Sequence, residues 1–106
     1  MKYRILDDAD ADLKEFAVYL GRQQEDLDVR FLDAAASTFE LLLESPTLGN
    51  RVESRLPRMR GVRRWHVDGF REHVIFYRVL DDGIEILRVV HSASDWARRF
   101  GVEEVR

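Results

Sequence analysis

Between Glu72 and Trp96 the chain reads EHVIFYRVLDDGIEILRVVHSASDW, two apolar runs separated by Asp81, Asp82 and Gly83. Val74 to Leu80 and Ile84 to Val90 are dense in β-branched and aromatic residues, and the three residues between them are strong turn formers. The segment therefore predicts an antiparallel hairpin. Alternation puts Val74, Phe76, Arg78 and Leu80 on one face of the first strand and His73, Ile75, Tyr77 and Val79 on the other. In the second strand it separates Ile84, Ile86, Arg88 and Val90 from Glu85, Leu87, Val89 and His91. Both faces are largely apolar, as in a strand pair covered on both sides. Arg78 and Arg88 interrupt that pattern, and an arginine in an apolar strand must reach solvent or find an acid. A register that sets Arg78 near Ile84 or Ile86 places Glu85 on the wrong face to pair with it directly, which predicts a solvent- or partner-facing position.

The preceding sequence supplies the rest of a domain. Tyr3 to Leu6 predicts a short strand, and Asp7 or Asp8 can cap a helix whose stripe is Ala9, Leu13, Phe16, Ala17 and Leu20, with Gly21 as its stop. A second helix is expected from Asp26 or Asp28 to Ser45, because Leu32, Ala35, Ala36, Phe39, Leu42 and Leu43 keep helical spacing and Pro46 disfavours helix before it. Leu48 to Met59 has no clear period and reads as a loop. A strand follows over Val62 to Val67, with Gly69 turning the chain into the hairpin. The expected order is β-α-α-β-β-β, an α+β fold in which a helical hairpin covers one face of a largely antiparallel four-stranded sheet. Ser94 to Gly101 could add a short final helix.

At 106 residues and 45% hydrophobic content, the chain has enough material for one core, so a single domain over residues 1–106 is expected. There is no cysteine, which removes disulfide and thiol chemistry. No apolar run is long enough to span a bilayer, and MKYRILDDAD lacks a signal-peptide pattern. A cytoplasmic location is the expectation.

The net charge of −3 conceals an asymmetry: residues 1–50 carry 5 basic and 11 acidic side chains, and residues 51–106 carry 12 basic and 9 acidic. Eight arginines (Arg51, Arg55, Arg58, Arg60, Arg63, Arg64, Arg71 and Arg78) and no lysine fall between positions 51 and 78, against Glu53, Asp68 and Glu72. Arginine suits bidentate contact with carboxylate or phosphate, so the cluster marks a candidate surface for an acidic partner or nucleic acid. Solvated loop and edge-strand charge is the plainer reading for any one of them. His66, His73 and His91 have no short metal-ligand spacing, and no phosphate loop or nucleophile elbow is present, so neither metal nor cofactor is expected.

Tyr3-Arg4-Ile5-Leu6, then Ala9-Asp10-Ala11-Asp12-Leu13 and Tyr19, Ser45-Pro46 with Gly49, Gly61-Val62-Arg63, Val74-Ile75-Phe76-Tyr77-Arg78-Val79 and Ile86-Leu87-Arg88-Val89-Val90-His91 together resemble the RelE/ParE superfamily of bacterial toxins. The phrase FYRV with ILRVVH leans towards its ParE branch. The resemblance covers about nine tenths of the chain. It implies the toxin of a type II toxin–antitoxin module, a ParD-like or other cognate antitoxin in a hetero-oligomer, and one of two activities. ParE-like members inhibit DNA gyrase. RelE-like members cut mRNA on the ribosome, which requires an acid or base beside cations that stabilise the developing charge.

For cleavage, the candidates are His91 with Arg78 and Arg88. In family nucleases a tyrosine closely follows the strand-end histidine, whereas Ser92 follows His91 and no tyrosine occurs after Tyr77. The gyrase reading is therefore preferred, with Arg60, Arg63, Arg64, Arg78, Arg88, His91 and Trp96 as candidate antitoxin- or target-binding residues. The sequence pI of about 5.6 also points to a protein target. An mRNA endonuclease and a non-toxic relic that binds its antitoxin and represses their promoter stay open as alternatives.

Overall fold

A computed structural model describes residues 2–93. Strand β1 (Lys2–Ile5) leads into helices α1 (Asp7–Gln23) and α2 (Leu27–Glu44), followed by strands β2 (Asn50–Arg51), β3 (Val62–Val67), β4 (Phe70–Leu80) and β5 (Gly83–His91). The sheet order is β1-β5-β4-β3-β2, antiparallel except for the parallel β1–β5 pair. The α+β architecture is the expected one with a fifth strand. Asn50–Arg51, expected as loop, pairs with Arg63 and Arg64 at the sheet edge, and a 3₁₀ turn occupies Pro57–Met59. The predicted helix at Ser94 to Gly101 lies outside the described residues, as does Trp96.

The helical hairpin buries one stripe of each helix against the sheet. Ala9, Leu13 and Ala17 from α1 meet Phe31, Ala35, Phe39 and Leu42 from α2 over Ile75, Tyr77, Ile84, Ile86 and Val89. Full burial of each large side chain contributes about 1.5–3 kcal/mol of transfer free energy, so this cluster is the main cohesive term. On the opposite face, the chain between β2 and β3 folds back. Met59 closes a smaller cluster with Val62, Phe76 and Val90, flanked by Val52 and Leu56.

Three local expectations are corrected. The residue before α1 is Leu6, without a side-chain cap, and Asp7 and Asp8 lie inside the first turn, where their charge favours the positive end of the helix dipole. Gly21 does not stop α1, which runs two residues further. A Cβ at Gly21 would lie 3.2 Å from that of Asp28, so this glycine permits close approach of the two helices. Finally, Leu87 has no partner where Phe76 pairs with Arg88 and Tyr77 with Ile86. This bulge breaks the alternation predicted for β5: Ile84, Ile86 and Val89 join the helix-side core, while Val90 joins the other cluster.

Candidate functional site

The arginines of the hairpin are engaged within the fold. Arg88 donates from Nε to Asp12 Oδ2 at 2.7 Å and from Nη2 to Oδ1 at 3.0 Å, a bidentate pair across 76 positions of sequence. Asp12 Oδ2 also accepts the Val89 backbone N–H at 2.9 Å. The reason is topological. β1 leaves the sheet after Leu6, whose N–H bonds Ile86 O, and the buried α1 carboxylate takes over where the edge of β5 loses its strand neighbour. Hydrogen bonding to Asp12, opposed by partial burial, holds the Arg88 guanidinium more firmly protonated than usual. Arg88, a candidate contact residue in the sequence, is thus engaged in a structural ion pair within the fold.

Arg78 also differs from expectation. It is the cross-strand partner of Glu85, so the two share a face, and Nη1 lies 3.6 Å from Glu85 Oε1. Glu85 reaches Arg4 at 3.6 Å as well. The other end of the Arg78 guanidinium donates to Arg58 O and ties the 3₁₀ turn to the sheet.

A second set of bonds fixes the connection after α2. Tyr77 is fully buried; its hydroxyl donates to Pro46 O at 2.7 Å and accepts Gly49 N–H at 2.9 Å. Burial raises the Tyr77 pKa, against the lowering effects of the Gly49 hydrogen bond and the Arg63 charge. Arg63 donates to Gly49 O at 2.7 Å, so its role in the fold is to clamp the loop that presents β2. Arg60 and Arg64 are exposed. Arg60 lines an open cleft of about 520 Å³ with Arg51, Arg55 and Glu53, and Arg64 lines one of about 180 Å³ with Asn50, Trp65, His66 and Val74. The basic cluster read from sequence is therefore divided between clamps (Arg63, Arg78) and surface groups (Arg60, Arg64).

His91 lies at the far end of the hairpin, opposite His73. Its Nδ1 accepts the Ala93 N–H at 3.1 Å and its Nε2 lies 3.2 Å from Glu72 Oε1. His73 is only 7% exposed and is packed edge-on against Phe16, Phe31, Phe70 and His91 at centroid distances of 4.8, 5.0, 6.2 and 5.3 Å. Burial lowers the His73 pKa, the nearby His91 lowers it further, and Glu72 opposes both.

This environment has a measurable consequence. Below about pH 6.5 the unfolded chain binds a proton at His73 that the folded chain does not. Stability should thus fall as pH drops from there to the folded-state pKa, then level off for this group. His73→Phe should remove that component and add about 1 kcal/mol at neutral pH, because an imidazole in an aromatic cage is replaced by a ring without polar atoms. Urea unfolding of both proteins at pH 7.5 and 5.5 checks this; an unchanged pH dependence would exclude His73 as its source.

Residues missed in the sequence are Asp12, Glu72 and His73. Asp12 carried a signal, a carboxylate three residues after Ala9 and four before Phe16 on the apolar stripe of α1, matched by an arginine in an apolar strand. Among the described residues no group of three or more His, Asp or Glu side chains is placed to hold a metal, and no helix is long and apolar enough to cross a membrane.

The helical hairpin on a five-stranded sheet recurs in a solved structure. A chain from a structure described as "Chromosomal ParDE TA system from P. aeruginosa" superposes with a TM-score of 0.68 at 20% identity, covering 86% of this chain and 95% of that one. At that identity the likeness establishes the fold. The sequence profile described as "ParE toxin of type II toxin-antitoxin system, parDE" matches residues 3–96, and the chain belongs to this ParE toxin family. No curated protein sequence matches it significantly.

Proposed function

We propose that this protein inhibits growth by binding DNA gyrase, and that a cognate antitoxin neutralises it. The observation that carries this reading is the separation of the groups an RNA-cleaving centre would have to bring together. His91 pairs with His73 and Arg78 with Glu85. The five residues from His73 to Arg78 span roughly 16 Å of strand, too far for His91 and Arg78 to meet on one phosphate. Arg88 is nearer, but its guanidinium is bound bidentately to Asp12.

Binding asks less of the side chains than cleavage does. Exposed Arg60 and Arg64 offer charge on the arginine-rich side, where acidic residues of an antitoxin or target complement them. His91 belongs to the opposite end of the hairpin, and Trp96 extends the proposed contact set beyond the described residues.

Expression without antitoxin should produce filamentation and a DNA-damage response with cellular mRNA intact, and the purified protein should inhibit supercoiling by gyrase. Rapid cleavage of ribosome-bound transcripts, abolished by His91→Ala in a folded protein, would replace this reading with the endonuclease. Normal growth under full expression would point to the non-toxic relic.

A further inference from the structure

The histidine end of the hairpin borders a cleft of about 430 Å³ facing α1. We propose that this cleft receives an arginine side chain presented by a partner protein. The proposal stands apart from the identity of the toxin's target.

Its polar lining is acceptor-rich. Glu15 contributes a carboxylate from α1 and Glu72 another from β4, with the Tyr19 hydroxyl beside them. His73 also lines the cleft, and its Nδ1 is a buried side-chain nitrogen with no hydrogen-bond partner. Burial lowers the His73 pKa and so favours the neutral ring, and in the Nε2–H tautomer Nδ1 is an acceptor. Such an atom, more than nine-tenths buried with its residue, is destabilising while unsatisfied. His91 also borders the cleft, and it already faces Glu72 through Nε2.

The remaining lining is apolar: Phe16 and Leu20, together with the ring of Tyr19, which is 60% exposed. The complementary ligand has an apolar stem and a head that only donates hydrogen bonds, which describes lysine and arginine. Arginine is selected by the rings. A planar guanidinium stacks on tyrosine, phenylalanine or imidazole while its edge donates in several directions, whereas an ammonium is a hydrated point charge. The cleft has the opposite charge preference from the arginine-rich side of the sheet, so a partner that engages both must carry acids for one and a basic residue for the other.

The test is a titration of the full-length protein with N-acetyl-arginine methylamide, followed through the histidine and tyrosine ring resonances. Saturable shifts are expected at His73, His91 and Tyr19. Glu15→Gln and Glu72→Gln should each weaken binding roughly threefold, as expected for a solvent-accessible ion pair, and N-acetyl-glutamate methylamide should leave these resonances unmoved. N-acetyl-lysine methylamide should bind more weakly than the arginine probe. Absence of saturable shifts, shifts insensitive to both variants, or equal binding of the lysine or glutamate probe would overturn the assignment.

Discussion

Asp12→Ala should destabilise the protein by about 3 kcal/mol or more, the largest loss expected from any single carboxylate. The change strands two groups at once. The Arg88 side chain, one quarter exposed beside an Asp12 that is one tenth exposed, loses both hydrogen bonds, and the Val89 N–H loses its acceptor. Removing one partner of a largely buried pair costs more than the pair is worth, because the remaining charge is left desolvated. Asp12→Asn should be milder, since the amide oxygen can still accept from Val89 or Arg88. Combining Asp12→Leu with Arg88→Met should recover part of the loss by removing both charges. Urea midpoints of the three variants read the outcome; a loss under 1 kcal/mol for Asp12→Ala would show that water solvates Arg88 and that the pair does not anchor α1 to β5.

Gly83→Ala should be comparably damaging for a steric reason. A Cβ at this position would lie 1.9 Å from the Lys2 carbonyl oxygen and 3.0 Å from its carbon, and both are backbone atoms that cannot rotate aside. Lys2 is the cross-strand partner of Gly83, so β1 must be displaced for the methyl group to fit. With only four residues in that strand, its pairing has little to hold it, and a loss of about 3 kcal/mol is expected. Amide exchange distinguishes this from a general effect: the amides of Tyr3 to Leu6 should lose protection before those of β3 and β4. Full protection of β1 in the variant would show that the sheet accommodates the methyl group by a small shift.

The parts of this fold legible from sequence are those whose signal is local. β4 and β5 announce themselves through consecutive β-branched and aromatic residues, and the helices through apolar residues at helical spacing. β2 has no such signal, because Asn50 and Arg51 form a two-residue polar edge strand defined entirely by pairing with β3. Gly21 misleads for a related reason: glycine favours helix ends by conformation, but here α2 needs the missing side chain. The bulge at Leu87 is invisible to alternation, and it reverses the faces read for the second half of β5. Arg78 and Arg88 were recognisable as misfits, yet their acids could not be assigned. Glu85 required the register, and Asp12 required the packing of an element 76 positions away. His73 could not be told from an ordinary strand residue until the phenylalanines of three elements enclosed it.

The pairing of β1 with β5 sets a clock on synthesis. Lys2 and Gly83 are neighbours in the sheet though eighty-one positions apart in the chain. A ribosome adding 5–20 residues each second needs roughly 4–16 s to deliver the second after the first. During that interval α1 can form, but the strand before it has no hydrogen-bonding edge and Asp12 has no arginine. Chains released early, short of β5, therefore lack both the closed sheet and the histidine end of the hairpin. The closed sheet, the Asp12–Arg88 pair and the histidine end of the hairpin exist together only once β5 has emerged and paired, so no shorter nascent chain presents that surface.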